Sequence, residues 1–200
     1  MASVIVAGDV SGSCTLQAPS AAGSTVLTLP VIAADTLAGI AATQTLTNKT
    51  LGTGTVFPAG AVLQVVNGTY ATRVTNNTST FASTGLTASI TPSSTNSKIL
   101  VLVNVAGVGK AANTAVILKL YRGASSIVGF EGIGGYTGAI GDAYIGTCST
   151  AYLDSPATIS STTYTVYFAS SANIARVDVQ NYYTSQADST STITLMEIAG

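Results

Sequence analysis

The sequence has 200 residues, enough for one ordinary domain and a shorter additional segment, and only 8% of them are charged. Soluble domains usually carry about 25% charged residues, so this surface is expected to be neutral and, with 31 threonines and 22 serines, rich in hydroxyl groups. Seven unclustered basic residues argue against nucleic-acid binding, and the absence of histidine excludes imidazole-dependent catalysis and the usual zinc-hydrolase sites.

Residues 1–60 differ in composition from the rest of the chain. They contain three charged residues and one of the thirteen aromatic residues. A segment with so few large side chains is a poor candidate for a core of its own, whereas small neutral residues suit close packing of several chains around an axis. We therefore predict that residues 1–60 form an assembly segment and that residues 61–200 form a separate domain.

Short elements follow one another within the first segment. Cys14–Gln17 and Thr25–Leu29 have the composition of strands, each closed by a proline. Asp35–Gln44 begins with a capping residue and has apolar side chains at helical spacing, which predicts a short helix. Phe57–Gly60 is predicted to be a linker. The segment is thus expected to combine strands with one short helix.

From Ala61 onward the pattern is that of an all-β domain. Runs of five to eleven residues rich in β-branched and aromatic side chains alternate with Gly, Asn, Ser, Thr or Pro, which predicts ten strands and a sandwich of two antiparallel sheets. The predicted strands are Val62–Val66, Tyr70–Thr75, Leu86–Thr91, Lys98–Val105, Ala115–Arg122, Ser126–Glu131, Ala143–Leu153, Thr162–Ser170, Ala175–Gln180 and Thr192–Ile198.

One predicted strand is apolar on both of its faces. Because side chains alternate along a strand, Ile99–Val103 presents aliphatic residues to both sides of its sheet. One side faces the sandwich core, and the other requires a second cover, which we expect to be another subunit. The apolar run extends to Val108, about half the length of a bilayer-spanning helix, so no membrane insertion is expected.

Several segments resemble structural proteins of tailed bacteriophages. The N-terminal part resembles a strand-turn-strand of phage fibre proteins followed by a QTLTNKTL element, and the C-terminal part is similar to a phage virion domain. The segments that bear the resemblance are GDVSGSCTLQAPSAAGSTVLTLP (Gly8–Pro30), TQTLTNKTL (Thr43–Leu51), GAVLQVV (Gly60–Val66), ITPSSTNSKILV (Ile90–Val101), AYLDSPAT (Ala151–Thr158) and STSTITLMEI (Ser189–Ile198).

The resemblance implies a non-enzymatic component of the virion that assembles as an intertwined homotrimer. Residues 1–60 would attach to other virion proteins and to sister chains, and residues 61–200 would form a projecting, jelly-roll-like β-sandwich that adheres to the host surface, with surface glycans as candidate receptors. The long repetitive shaft of full-length tail fibres is absent. A short tail fibre and a capsid decoration or head-fibre protein therefore both remain open, as does a carbohydrate-binding module outside a phage.

The glycine-rich stretch Gly129–Gly141 is the candidate receptor-facing loop. It does not complete a GxGxxG motif and no strand-to-helix turn surrounds it, so no nucleotide cofactor is expected. Tyr136, Asp142 and Tyr144 are the residues that we expect to face a receptor, with the tyrosines presenting aromatic faces to sugar rings. The alternative is a flexible connection at the tip of the sandwich.

The remaining candidate groups give no catalytic or metal site. The carboxylates occur singly, whereas glycoside hydrolysis needs two of them about 5–10 Å apart. Asp154, followed by Ser and Pro, is interpreted as a turn residue that caps backbone donors. Tyr164 and Phe168 are predicted to pack in the core, with a ligand platform as the alternative. Cys14 and Cys148 have no metal-ligand spacing, and their oxidation state is left open.

Overall fold

The computed structural model describes residues 3–7, 13–17, 55–139, 141, 143–173, 175–180 and 189–200. The chain divides into two compact units, Met1–Gly52 and Thr53–Gly200. Within the first unit, strand β1 (Ser3–Ala7) pairs in antiparallel fashion with β2 (Ser13–Gln17). The predicted strand Cys14–Gln17 lies within β2. The predicted strand Thr25–Leu29 and the predicted helix Asp35–Gln44 lie outside the described residues.

The described part of the second unit consists of strands and connections, and no helix occurs in it. Its strands follow the predicted order closely. They are β3 (Val62–Tyr70), β4 (Val74–Asn76), β5 (Ala82–Ile90), β6 (Lys98–Lys110), β7 (Val116–Arg122), β8 (Ser125–Gly134), β9 (Ala143–Asp154), β10 (Thr162–Ser170), β11 (Val177–Val179) and β12 (Ser191–Ile198).

These strands form two antiparallel sheets. The four-stranded sheet has the order β5-β10-β7-β8, and the six-stranded sheet has the order β3-β12-β6-β11-β4 with β9 added to β6. Ile99 on β6 pairs with Glu197 of β12 and with Asp154 of β9, whereas Lys110 pairs with β11 and β9. Strand β9 therefore occupies one side of β6 along its length, and β12 and β11 share the other side.

Alternation along the strands builds one core between the sheets. On β10 the inward positions Tyr164, Val166 and Phe168 are fully buried, and on β12 Ile193 and Leu195 are fully buried. Burial of each such side chain contributes about 1.5–3 kcal/mol. The larger core residues are Leu86, Ile90, Ile99, Val101, Val103, Leu118, Leu120, Tyr164, Val166, Phe168, Ile193 and Leu195. The described residues of the second unit thus have the all-β, sandwich-like fold that the sequence predicts.

Several predicted strand boundaries differ from the structure: β6 continues to Lys110 and β8 to Gly134, and β11 is shorter than predicted. Two further differences have an identifiable cause. The predicted strand Tyr70–Thr75 is divided, because β3 ends at Tyr70 next to β12 and β4 begins at Val74 next to β11. Strand β5 begins well before the predicted start at Leu86. The pairing of β5 with β10 shifts register around Gly85, whose φ of +82° favours glycine and lets the strand continue through an irregularity.

Candidate functional site

The buried carboxylate of Asp178 is neutralised by two arginines. Its Oδ1 accepts hydrogen bonds from Arg73 Nε and Nη2 at 3.1 and 2.8 Å and from Thr75 Oγ1 at 2.6 Å. Arg176 Nε lies 2.9 Å from Oδ2. These contacts join β11 to β4 and to the turn that precedes β4. A buried charge is tolerated only when it is paired in this way, so the cluster has a structural explanation.

Asp154, at the end of β9, links the two sheets. Arg122 Nη1 donates to its Oδ1 and Oδ2 at 2.9 and 2.8 Å, and the Tyr164 hydroxyl donates to Oδ2 at 2.7 Å. The carboxylate therefore binds side chains of the opposite sheet, whereas the sequence predicted that it caps backbone donors in a turn. Burial, followed by the hydrogen bond to Asp154, raises the pKa of Tyr164 far above its ordinary value.

Glu197 on β12 is held by a ring of hydroxyl and amide donors. The Ser93 amide and hydroxyl and the Ser97 hydroxyl donate to Oε1 at 2.6–2.7 Å, and Gln64 Nε2 donates to Oε2 at 2.6 Å. Burial by itself raises the pKa of Glu197, but the hydrogen bonds from Ser93, Ser97 and Gln64 outweigh it and hold the pKa below its ordinary value.

A pocket of about 490 Å³ adjoins this network, where the chain enters the second unit. Phe57 and Leu63 contribute its apolar lining, and Ser93, Ser97 and Gly200 lie at its polar side. Since the Ser93 and Ser97 hydroxyls both donate to Glu197, their protons are not available to a ligand. The structure also brings no three Cys, Asp or Glu side chains into a metal-binding group among the residues that it describes.

The outer side of the six-stranded sheet has one aliphatic row, next to a row that contains the hydrogen-bonded pair Asn67–Thr194. In the observed register Met196 lies opposite both Val65 and Leu100, and Leu100 lies opposite Leu153. Leu102 occupies the next outward position on β6. Val65 is 56% exposed, Leu153 51% and Leu102 36%. We call these five residues the apolar face. The prediction that Ile99–Val103 is apolar on both sides is thus confirmed, and the Leu102 side chain is exposed to solvent in the single chain.

The outer side of the four-stranded sheet has a different chemistry. The Tyr121 and Tyr167 ring centroids are 4.4 Å apart, and the Phe81 centroid is 6.4 Å from that of Tyr121. Lys119 Nζ lies 4.4 Å from the Phe81 ring centroid. All four side chains are half-buried. The predicted core positions Tyr164 and Phe168 are confirmed, whereas Tyr167, between them, points to this outer side.

Paired hydroxyl groups continue the same outer side. Thr87 Oγ1 lies 2.9 Å from Thr165 Oγ1, and Ser89 Oγ lies 2.8 Å from Thr163 Oγ1. Thr87 also donates its hydroxyl proton to the Tyr164 carbonyl at 3.0 Å, so Thr165 is the donor in its pair. We call this outer side the hydroxyl–aromatic face. Its residues are Phe81, Thr87, Ser89, Lys119, Tyr121, Thr163, Thr165 and Tyr167.

The predicted receptor-facing residues lie around the end of β8 and the start of β9. Tyr136 is 58% exposed and Tyr144 53% exposed, while Asp142 lies outside the described residues. A Cβ added to Gly135 would lie 2.7 Å from Ile145 Cγ1, so the chain segments next to the two tyrosines are in contact. Buried Lys110 donates to Thr137, which ties the loop to the body of the sheet.

The fold and these surfaces define an all-β, sandwich-like protein whose two outer faces differ in chemistry. No protein-family model matches the chain, and no curated protein matches its sequence. Over the residues that are described, the structure contains no helix long and apolar enough to span a membrane.

Proposed function

We propose that this chain is a non-enzymatic structural protein of a bacteriophage particle. In this proposal it assembles as a homotrimer, residues 1–60 attach it to other virion proteins and to its sister chains, and residues 61–200 project as a knob that adheres to the host surface. Its place is the virion, as a short fibre. The resemblance of its N-terminal and C-terminal segments to phage structural proteins supports this assignment.

The apolar face is the observation on which the proposal chiefly depends. Val65, Met196, Leu100 and Leu153 lie in one row across four strands, so their side chains form a continuous aliphatic band. Monomeric soluble proteins rarely expose such bands, and an interface with sister chains would remove this one from water. The residues of the band carry no charge themselves, and the exposed Lys98 lies at the next outward position on β6.

The use of charge inside the domain agrees with an assembled protein. Asp154, Asp178 and Glu197 are buried and receive hydrogen bonds within the second unit. The fourth described carboxylate, Glu131, accepts from the amides of Gly132 and Ile133 through Oε1. The charges are thus largely committed within the chain, and few are left to keep separate copies apart in water.

The strand order supports the jelly-roll form of the sandwich. When β3 with β4 and β12 with β11 are each counted as one interrupted strand, the two sheets have the orders β3-β12-β6-β9 and β5-β10-β7-β8. Apart from the β7–β8 hairpin, successive strands then alternate between the sheets in the manner of a jelly roll, an architecture found in viral capsid and lectin domains.

Two related functions are distinguished by location and mass. A capsid decoration or head-fibre protein would use the same fold without a main receptor role, and localisation in particles by electron microscopy separates it from a tail fibre. A carbohydrate-binding module is favoured by one observation, the cluster of Tyr121, Tyr167 and Phe81 on an outer face. Such a module would be a monomer that binds a saccharide.

Mass determination by multi-angle light scattering tests the proposal on the full chain. At micromolar concentration we expect three times the 19.9 kDa mass of one chain. Leu102→Asp, which puts a charge into the apolar face, should reduce that mass, because burial of an unpaired carboxylate in an interface is unfavourable by several kcal/mol. Ser126→Asp, at an exposed position of β8 on the other sheet, is the matched control and should leave the trimer intact. A stable wild-type monomer would overturn the proposal.

A further inference from the structure

The hydroxyl–aromatic face has features that neither the core nor self-assembly explains. Tyr167 and Tyr121 come from neighbouring strands and stack at 4.4 Å with an interplanar angle of 39°. Phe81 lies beside Tyr121, and the ammonium group of Lys119 lies over the Phe81 ring. We propose that this face binds an acidic saccharide. In this proposal the aromatic rings pack against sugar C–H groups, and Lys119 forms an ion pair with a sugar carboxylate.

The two halves of the face match the two kinds of surface on a sugar ring. A pyranose has an apolar C–H side, whose hydrogens carry partial positive charge, and a rim of hydroxyl groups. Aromatic faces are the negative part of the ring quadrupole, so the faces of Tyr121 and Tyr167 that are not stacked on each other suit the C–H side. The pairs Thr87–Thr165 and Ser89–Thr163 lie on the same outer side and supply hydroxyl oxygens that can accept hydrogen bonds from the rim.

The charge on the face favours an anionic ligand. Lys119 is half-buried and its ammonium group lies against the Phe81 ring. The carboxylates Asp154, Asp178 and Glu197 are held by partners inside the domain, and Glu131 accepts from the Gly132 and Ile133 amides. None of these four carboxylates forms an ion pair with Lys119 in the described structure. A single cation beside aromatic rings suits a carboxylate on a sugar, whereas a nucleic acid would require several phosphate-binding side chains.

The surroundings of Lys119 leave room for such a ligand. Gly129 on β8 lies opposite Lys119, and a Cβ placed there would meet only the Lys119 stem, at 3.8 Å, and a Leu118 carbonyl oxygen at 4.0 Å. The position opposite Lys119 on β8 therefore carries no side chain that could cover the lysine. A second copy of this chain is a poorer occupant, since the face lacks the aliphatic band of the six-stranded sheet.

This inference rests on the proposed function only in taking the saccharide to be part of a host surface. The binding itself depends on Lys119 and the three rings. It also differs from the loop prediction, because Tyr136 and Tyr144 lie at the β8–β9 connection and not on this face. The two proposals fail separately: a monomer that binds the saccharide contradicts the trimer, and a trimer that does not bind it contradicts this inference.

The test is isothermal titration of the full chain with two probes of similar size, oligogalacturonate as the acidic saccharide and maltohexaose as the neutral one. We expect binding of oligogalacturonate that weakens with added salt, and weaker binding of maltohexaose. Lys119→Gln should weaken oligogalacturonate binding about tenfold, the effect of losing one charge-assisted contact. Lys98→Gln, which removes an exposed lysine from the other sheet, is the matched control and should bind as the wild type does.

Ring-proton NMR of the wild-type chain gives a readout that needs no variant. Resonances of Tyr121 and Tyr167 should shift on addition of oligogalacturonate, while those of Tyr136 and Tyr144 should not. The proposal is overturned if oligogalacturonate does not bind, if maltohexaose binds equally well, if the two lysine variants lose affinity alike, or if the shifts are confined to Tyr136 and Tyr144.

Discussion

The two outer faces of the sandwich differ although the two sheets share one core. Inward positions of both sheets are mainly buried aliphatic and aromatic side chains, with the carboxylates Asp154 and Glu197 among them. Outward, the six-stranded sheet presents Val65, Leu100 and Leu153, whereas the four-stranded sheet presents paired hydroxyl groups and the Tyr121–Tyr167 stack. The inward half of each strand therefore determines the fold. We propose that the outward half determines which surface assembles and which one binds.

The largest expected effect is a difference in stability between an inward and an outward substitution on the same strand. Phe168 and Tyr167 are neighbours on β10, but Phe168 is fully buried and Tyr167 is half-buried on the outer side. Phe168→Ala should lower the free energy of unfolding by about 3–5 kcal/mol, because it removes a core ring and leaves a cavity. Tyr167→Ala should cost clearly less. Urea unfolding followed by circular dichroism measures both, and equal losses would contradict the assigned faces.

A smaller effect is expected from the buried carboxylate of β12. Glu197→Gln should cost about 1–3 kcal/mol, because the amide cannot accept all the hydrogen bonds that Ser93, Ser97 and Gln64 donate. This substitution changes no outward residue. Saccharide binding and the mass of the assembly should therefore stay as in the wild type, and a change in either would mean that the faces are not independent of the core.

The same residue gives the protein a pH dependence of defined sign. Its pKa is lower in the folded protein than the value of about 4.3 for an unfolded chain, so folding favours the ionised form. Its contribution is present above about pH 4.3 and is lost as the pH falls through the folded pKa. Thermal unfolding between pH 3 and 6 should show this slope in the wild type. Glu197→Gln should flatten it, and an unchanged slope would assign it to other carboxylates.

The smallest effect concerns reactivity rather than stability. Cys148 points into the core from β9, whereas Thr147 beside it is exposed. Burial, and then the charge of Glu131, raises the pKa of Cys148 to about 11, so little thiolate is present at pH 8. In a Cys14→Ser background we expect Cys148 to react with a thiol reagent only after unfolding. With Cys148→Ser added, Thr147→Cys should react at least about tenfold faster in the native protein.

The sequence predicted the parts of this molecule that depend on alternation within one strand. The two-sided apolar pattern of Ile99–Val103 and the inward positions of Tyr164 and Phe168 both follow from period-two spacing, which is a local property. Strand boundaries were less accurate where tertiary pairing decides them. The chain is divided between Tyr70 and Val74 because Tyr70 pairs with β12 and Val74 pairs with β11. These partners are distant in the sequence, so no local pattern predicts the division.

The polar clusters and the binding face could not be predicted in the same way. Arg73 and Asp178 are 105 residues apart, and Ser97 and Glu197 are 100 apart, so their contacts exist only after the sheets form. The Asp154 turn motif was misleading for the same reason, since its partner Arg122 lies on another strand. Phe81 is the sequence signal that could have pointed to the aromatic cluster, since it stands alone in a polar stretch before β5. Nothing near it in the sequence indicates that Tyr121 is its partner.

The internal neutralisation of charge also has a consequence for large arrays of this chain. Arg122 is matched to Asp154, Arg73 and Arg176 share Asp178, and the formal net charge of the whole chain is only −1, so neighbouring copies of the proposed knob would face one another with weak electric fields. Dense coverage of a particle would then meet little mutual repulsion, even in fresh water. The electrophoretic mobility of such a particle would be governed by whatever lies beneath the coat.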